Sequence, residues 1–277
     1  MKCNYNPENI INCWFPVSGP PIPYYHGYLL FAALSRKFPD LHSADWLEIG
    51  PVSGEWFHQD NTDLLRLNNS SKILFRLPAT RLIELAGLIN SEIVISDNDH
   101  SAAITLGDPI VGSIRPADSL VSWFVTLRIH NGVDEDGDHH MLPPSLMNPD
   151  NMLAALYRRL HDNEMRGTLV IDRKMRHYAV IKIGVAVGYP VLATDLTEIN
   201  SIKLQTIGLG GRRHMGCGLF VSPEENYYEP CRYFESYYNN RLSNRKRDLS
   251  SGTEHNTRGG AEEADNNGSQ RAYRSAD

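Results

Sequence analysis

The chain of 277 residues has few cysteines, no long hydrophobic run and no phosphate-loop motif of the Gly-Lys-Ser/Thr type. Cys3, Cys13, Cys217 and Cys231 are scattered without a C-x-x-C pair, which argues against a zinc site and for reduced thiols. No stretch approaches the roughly 18 apolar residues of a membrane span, and the N-terminus lacks the basic and apolar regions of a signal peptide. These absences predict a cytoplasmic protein without a membrane partner.

One acidic segment resembles a metal site but lacks two of its essential positions. In the sequence DEDGDHH, Asp134, Asp136 and Asp138 alternate like the start of a calcium loop. Glycine stands at the fourth position of that loop instead of the sixth, and Ser145 occupies the place of the closing glutamate. An acidic loop facing solvent is the better interpretation, so we expect no metal and no other cofactor.

The net charge of −6 argues at first against a nucleic-acid partner, but the charge is unevenly distributed. Residues 1–157 carry 9 basic and 18 acidic side chains, whereas residues 158–213 carry 10 basic and 5 acidic ones. Phosphate contacts come from a local patch, and salt screens distant charge over a Debye length of about 8 Å. The basic segment therefore indicates a surface for a nucleic-acid backbone.

That basic segment ends in a glycine-rich run, residues 204–220, which reads LQTIGLGGRRHMGCGLF. Its glycines are Gly208, Gly210, Gly211, Gly216 and Gly218. Successive N–H groups of such a loop can form an anion-binding nest, and the guanidiniums of Arg212 and Arg213 add charge that suits phosphate. A dinucleotide-binding turn is disfavoured because the preceding residues look helical. The alternative is a glycine-rich turn between a helix and a strand, with arginines that are merely exposed.

Hydrophobic periodicity predicts two successive βαββαβ patterns, joined near Pro116. In the first pattern, the predicted strands cover residues 9–17, 46–49, 55–59, 72–77, 92–95 and 102–106, and the helices cover residues 25–37 and 79–89. In the second, the strands cover residues 120–129, 168–172, 177–187 and 217–221, and the helices cover residues 149–164 and 194–206. The middle two strands of the second pattern are predicted to form a hairpin.

The predicted fold class is therefore α+β, with two tandem ferredoxin-like (RRM-like) domains and a disordered C-terminal tail. The predicted boundaries are residues 1–117, residues 118–222 with the glycine-rich run, and residues 223–277. Tyrosines of residues 223–240 could dock on the core, whereas the chain beyond residue 240 has almost no apolar residue and is expected to be disordered.

The glycine-rich run and the helix before it resemble the C-terminal signature of the RAMP superfamily. More narrowly, roughly residues 10–221 resemble the CRISPR repeat-processing endoribonucleases, the Cas-six family, in its MYXAN-type branch. The upstream motifs that match that branch in order are Phe15-Pro16-Val17, Gly19, Ile22-Pro23, His26-Gly27-Tyr28, Ala32-Ala33-Leu34-Ser35, Pro39, His42, Gly54, Arg76-Leu77-Pro78, Gly107 and Pro109.

The resemblance implies a metal-independent endoribonuclease that binds the stem-loop of CRISPR repeat RNA and cleaves precursor crRNA. Attack by the 2′-hydroxyl would leave a 2′,3′-cyclic phosphate and a 5′-hydroxyl, and the product would be retained for assembly with other effector-complex subunits. One alternative is a non-catalytic crRNA-binding subunit of such a complex. A two-domain nucleotide-binding regulator is a more distant alternative, disfavoured by the missing phosphate loop.

Histidine and tyrosine at the start of the first helix are the candidate catalytic residues, because histidine titrates near neutral pH and can take a proton from a 2′-hydroxyl. The resemblance points to His26, with His42 as the other candidate base and Tyr28 as a group that positions the phosphate or protonates the leaving group. The alternative for His26 is a helix-start histidine that bonds the backbone. The candidate RNA-binding residues are Arg173, Lys174, Arg176, Lys203, Gly208, Gly210, Gly211, Arg212, Arg213 and His214. The alternative for the first three is an exposed, charged strand pair.

Overall fold

The computed structural model of the chain describes residues 9–96, 100–127, 130–133, 139–141, 147–173, 177–181 and 184–225. Two antiparallel sheets carry the fold, each with its helices packed on one face. None of the helices within those ranges is long and apolar enough to cross a membrane. The predicted C-terminal tail lies outside the described residues, as does Tyr227 onward of the tyrosine-rich segment.

The first half of the chain is built around a strand that pairs on both of its edges. Its elements are β1 (Ile10–Ser18), β2 (Ile22–Pro23), α1 (Gly27–Lys37), β3 (Glu48–Val52), β4 (Glu55–Gln59), β5 (Thr62–Arg66), β6 (Lys72–Pro78), β7 (Glu92–Ser96), β8 (Ser101–Leu106) and β9 (Ile110–Ser113), with 3₁₀ helices at Pro39–Ser43 and Ala79–Leu88. β6 lies between β1 and β3 and is antiparallel to both, while β8 and β9 pair with the other edge of β1. This order is that of a ferredoxin-like βαββαβ unit.

The second half repeats the same order. Its elements are β10 (Leu120–Val125), β11 (His130–Val133), β12 (His139–Met141), α2 (Pro149–Asp162), β13 (Thr168–Ile171), β14 (His177–Ile181), β15 (Gly184–Thr194) and α3 (Glu198–Ile207), followed by a 3₁₀ helix at Arg213–Met215. β15 lies between β10 and β13, antiparallel to both. Two tandem ferredoxin-like units are therefore present, as predicted, while the boundary at residues 117 and 118 stays a prediction.

Several predicted elements differ in detail, and the backbone explains why. The predicted second helix is a 3₁₀ helix, because its inward leucines, Leu82, Leu85 and Leu88, recur every three residues and so align on a three-residue turn. β5 and β9 were not predicted. In place of the predicted final strand, residues 217–221, the structure has one β-bridge between Val121 and Val221. Glycines with positive φ interrupt the extended backbone just before Val221.

The strand pairing of the second half also differs from the predicted hairpin. β13 pairs with the C-terminal part of β15, from Thr168 opposite Thr194 to Ile171 opposite Val191. β14 instead forms a hairpin with the N-terminal part of the same long strand, with His177 opposite Gly188. The long strand therefore serves two neighbours in succession, which a pattern of short apolar runs does not reveal.

A third apolar cluster connects the two halves. One core lies beneath α1, and another lies beneath α2 and α3. The third cluster consists of the buried side chains Leu74, Val121, Trp123, Phe124, Leu192, Cys217, Leu219 and Val221. Leu74 comes from β6 of the first half, and Cys217 and Leu219 follow the glycine-rich run. The two sheets belong to one compact unit, and the glycine-rich run lies where they join.

Candidate functional site

The glycine-rich run folds back on its own backbone and on the end of β10. α3 ends as the Gly208 N–H donates to the Leu204 carbonyl. The Gly211 N–H donates to the Thr126 carbonyl and the Gly218 N–H to the Phe124 carbonyl. A Cβ on Gly210 or Gly218 would overlap a backbone carbonyl, so these positions require glycine for close packing as well as for positive φ.

This packing limits the predicted anion-binding nest in the loop. The N–H groups of Gly208 and Gly211, two of the predicted RNA-binding residues, already donate to carbonyls of the protein. A donor bonded in this way has no proton left to offer a phosphate in the same conformation. A nest formed by other N–H groups of the loop stays a prediction.

The first turn of α1 lies directly against this loop. A Cβ on Gly27 would overlap the carbonyl oxygen of Met215, so only glycine permits this approach. The approach places Tyr28 and Arg212 on the wall of one small pocket, which Tyr25 and Trp123 also line. Trp123 is fixed there by a 2.9 Å hydrogen bond from its indole N–H to the Gly216 carbonyl. A predicted catalytic tyrosine and a predicted phosphate-binding arginine thus share one concave surface.

Two histidines from separate segments stack on one ring of α1. The Phe31 ring centroid lies 5.6 Å from that of His42 and 5.3 Å from that of His214, with interplanar angles of 16° and 13°. His42 is exposed on the 3₁₀ helix that follows α1, and His214 belongs to the glycine-rich loop. Nε2 of His214 lies 2.8 Å from the Ala44 carbonyl oxygen. Phe31 follows Tyr28 by three residues on α1, and His214 precedes Met215, which lines the pocket, so the stack and the pocket both involve α1 and the glycine-rich loop.

His26, in contrast, is a buried residue with both ring nitrogens engaged. Only 1% of its surface is exposed, Nδ1 lies 3.0 Å from the Pro23 carbonyl oxygen, and Nε2 accepts a 2.8 Å hydrogen bond from the Val52 N–H. Burial lowers the pKa of His26 to about 4, although backbone bonds at Pro23 and Tyr24 oppose the shift. The predicted role as catalytic base does not fit this geometry, whereas the alternative of a histidine that bonds the backbone does.

Arg213 also turns inward, although it was predicted to bind RNA. Its guanidinium donates to the Glu48 carboxylate on β3 and to the Ile207 carbonyl at the end of α3. Cations are favoured there because the carbonyl end of a helix carries partial negative charge. This leaves Arg212, the adjacent arginine, as the one that lines the open pocket.

The Glu48 carboxylate also lies 4.0 Å from the guanidinium of Arg76, a buried residue to which the sequence analysis assigned no role. Arg76 is 1% exposed, and it donates to Asn12 Oδ1 at 2.8 Å and to the Gln205 carbonyl at 2.6 Å. Burial raises the pKa of the Glu48 carboxyl, while Arg213 and Arg76 lower it. The sequence signal for this buried charge cluster was a charged residue in each of two apolar strands: Glu48 begins β3, and Arg76 lies inside β6.

The remaining predicted RNA-binding residues are not brought to this site by any contact within the described ranges. Arg173 is exposed and forms a 2.5 Å ion pair with Asp150 at the start of α2. Lys203 on α3 lies 3.8 Å from the Glu164 carboxylate. Lys174 and Arg176 lie outside the described residues. The basic side chains of the second half are thus spread along its surface.

No group of three or more metal-ligating side chains is found in the part of the chain that the structure describes. Asp134, Asp136 and Asp138 fall in the interval 134–138, outside that part.

Comparison with known proteins identifies relatives of this chain. The family model described as Cas6 Crispr matches residues 11–225. The CRISPR-associated endonuclease Cas6 of Myxococcus xanthus (strain DK1622) is 30% identical over 213 residues, which cover 77% of this chain and 81% of that protein.

Two solved structures share the fold. A Cas6-related protein from Pyrococcus furiosus superposes with a TM-score of 0.55 at 12% identity, over 78% of this chain and 100% of that one. A RAMP protein that binds different RNA substrates superposes with a TM-score of 0.53 at 11% identity, over 76% of this chain and 98% of that one.

Proposed function

This chain belongs to the Cas6 family, and we propose that it is an endoribonuclease that binds CRISPR repeat RNA and cleaves the precursor transcript without a metal ion. The 2′-hydroxyl of one nucleotide attacks the adjacent phosphorus, and the bond from phosphorus to the 5′-oxygen breaks. The products are a 2′,3′-cyclic phosphate and a 5′-hydroxyl. The protein then keeps the cleaved stem-loop for assembly of an effector complex.

The observation that supports this proposal is that Tyr28 and Arg212 line one pocket where α1 meets the glycine-rich loop, while His42 stacks on Phe31 of the same helix. These residues come from three separate segments. The packing of Gly27 on Met215 holds the loop of Arg212 against the helix of Tyr28, and His42 contacts the same helix through Phe31. Each side chain suits one requirement of phosphate transesterification. A proton acceptor, a phosphate ligand and a polar group that orients the phosphate thus lie on one surface.

In this site His42 takes the proton of the 2′-hydroxyl, because its ring is exposed and histidine titrates near neutral pH. Proton transfer of this kind typically accelerates a reaction by ~10²–10⁴-fold. Arg212 binds the non-bridging oxygens of the scissile phosphate, where negative charge increases in the transition state. Tyr28, half-buried beside Arg212, donates a hydrogen bond from its hydroxyl group to the same phosphate.

The basic surface of the second half holds the repeat stem through its backbone and A-form shape, as expected for double-stranded RNA. Two residues supply this charge. Arg173 pairs with Asp150 at the start of α2, and Lys203 lies on α3. The exposed pair of Arg173 with Asp150 is worth little in water, so a phosphate can replace the carboxylate at small cost.

The test is single-turnover cleavage of the chain's own end-labelled repeat RNA by the purified full chain, in EDTA and in Mg²⁺. We expect equal rates in both, and a 5′ fragment whose terminal phosphate resists phosphatase until acid opens the cyclic ester. His42→Ala should lose ~10²–10⁴ in rate at unchanged Kd, whereas His58→Ala, an exposed histidine of β4, serves as the matched control.

Tight binding without cleavage by the wild type would instead favour the non-catalytic crRNA-binding subunit. Cleavage that EDTA abolishes would contradict the metal-independent mechanism while leaving the endoribonuclease assignment in place.

A further inference from the structure

We propose that His214, in the glycine-rich loop, is a second catalytic residue that protonates the leaving 5′-oxygen. This inference rests on the proposed cleavage reaction and adds a proton donor to it. In that reaction the attacking 2′-oxygen and the leaving 5′-oxygen lie on opposite sides of the phosphorus. One ring that accepts the proton on one side cannot also supply a proton on the other, so the reaction calls for two groups.

The stack on Phe31 supplies those two groups from independent segments. Both imidazoles lie within 5.6 Å of the same ring, nearly parallel to it, although His42 and His214 are 172 positions apart in the chain. Phe31 itself is 8% exposed and belongs to the core beneath the first sheet. The ring of Phe31 is thus held by the core, and both histidines contact it.

The hydrogen bond to Ala44 determines which nitrogen of His214 faces the substrate. A carbonyl oxygen only accepts hydrogen bonds, so the proton of this bond is on Nε2, 2.8 Å away. The other nitrogen, Nδ1, remains for proton transfer. The bond to Ala44 persists whether Nδ1 carries a proton or not, so the ring keeps its orientation through the catalytic cycle.

An imidazolium is also the stronger proton donor of those available. Tyr28 is half-buried in the pocket beside Arg212, but a neutral phenol gives up its proton less readily than an imidazolium cation does. In the balanced step, His42 receives the 2′-hydroxyl proton, the 2′-oxygen bonds to phosphorus, and the phosphorus–5′-oxygen bond breaks. The proton on Nδ1 of His214 passes to the departing 5′-oxygen, leaving His214 neutral.

The experiment uses a repeat RNA in which sulfur replaces the 5′-oxygen at the linkage that the wild type cuts. A thiolate leaves without a proton, so this substrate needs no acid but still needs a base. His214→Ala and His214→Gln should cut the ordinary RNA ~10²–10⁴-fold more slowly and the sulfur-containing RNA at the wild-type rate. His42→Ala should be slow on both substrates.

His214→Gln keeps a side-chain N–H that can donate to the Ala44 carbonyl, so it separates proton transfer from support of the loop. Kd for the repeat, measured in parallel, should stay near the wild-type value in both His214 variants. Equal slowing on both substrates would overturn the proposal, and so would a wild-type rate of His214→Gln. Loss of affinity with normal cleavage of bound RNA would make His214 an RNA-binding residue only.

The two proposals fail differently. A wild type that cuts the ordinary RNA, with His214 variants that sulfur does not rescue, overturns the acid role alone. A wild type that cuts neither RNA overturns the proposed function and the acid role together.

Discussion

The guanidinium of Arg213 and the carboxylate of Glu48 form an ion pair that ties the glycine-rich loop to β3 of the first ferredoxin-like unit. Glu48 is almost fully buried, and the same arginine also binds the Ile207 carbonyl at the end of α3. Arg213 therefore stabilises the folded protein, whereas Arg212, its neighbour in sequence, lines the pocket with Tyr28. The two arginines, which look equivalent in the sequence, should respond differently to mutation.

Arg213→Ala should lower the free energy of unfolding by roughly 3 kcal/mol, because it leaves the buried Glu48 carboxylate without its nearest cation. The measurement is urea denaturation of the full chain at neutral pH. Arg212→Ala is the matched control, with no expected change in stability. An unchanged stability of Arg213→Ala would show that Arg76 alone can neutralise Glu48.

Arg212→Ala should weaken repeat binding and reduce the slope of log K against log salt by roughly 1, as expected for one lost phosphate contact. Its place on the wall of the pocket beside Tyr28 is the basis for this expectation. The measurement is a binding titration of the repeat RNA at several salt concentrations. An unchanged slope would mean that Arg212 does not contact phosphate.

His26 should make the protein less stable in acid. Its pKa in the folded protein, about 4, lies below the ordinary value of 6.5, so the unfolded chain binds more protons between these values. The contribution is present in full above pH 6.5 and is lost as the pH falls to about 4, a change of roughly 3 kcal/mol.

The measurement is the free energy of unfolding of the wild type and of His26→Gln from pH 7 to pH 4. His26→Gln should be less stable at pH 7 and lose less stability on acidification. At a temperature where it is folded, it should still cleave RNA, since the ring that it replaces is enclosed by protein. Loss of cleavage in a folded His26→Gln, with His42→Ala active, would return the role of base to His26.

Gly27→Ala should slow cleavage and destabilise the protein by about 1–3 kcal/mol, because the added Cβ pushes the Met215 carbonyl away from α1. That displacement would move the glycine-rich loop, with Arg212 and His214, relative to Tyr28. Gly112→Ala on β9 is the control, since its Cβ would meet no atom within 4 Å. Normal cleavage by Gly27→Ala would show that the loop can shift without loss of the site.

Phe31→Leu should slow cleavage more than it weakens binding. Leucine fills much of the buried volume, so the stability cost should stay below about 1.5 kcal/mol, but it removes the flat face on which His42 and His214 stack. The measurement is the single-turnover rate at saturating protein beside Kd. A proportional loss in both would indicate a general disturbance of the RNA-binding surface.

Local sequence patterns predicted much of the fold. Alternation and β-rich residues identified β10, helical spacing identified α1, the Pro149-Asp150 start signal identified α2, and glycines marked the loop after α3. One element that local patterns misassigned is the 3₁₀ helix Ala79–Leu88, because the exposed Ile89 just after it looks in sequence like part of an apolar helical face with Leu82 and Leu85. β9 was missed because all of its residues are exposed, so no burial pattern distinguishes it from a loop.

The sequence by itself determined the family, the two βαββαβ units and the segments from which the candidate site is built, because these depend on residue order and on periodicity along the chain. Only the tertiary structure decided which side chain of each segment is available for chemistry. In sequence, His26 is the preferred base and His42 the other candidate, while Arg212 and Arg213 are equally plausible phosphate ligands. Burial separates the histidines, and internal hydrogen bonds separate the two half-buried arginines, since a side chain whose polar atoms are bonded inside the protein cannot also meet a substrate.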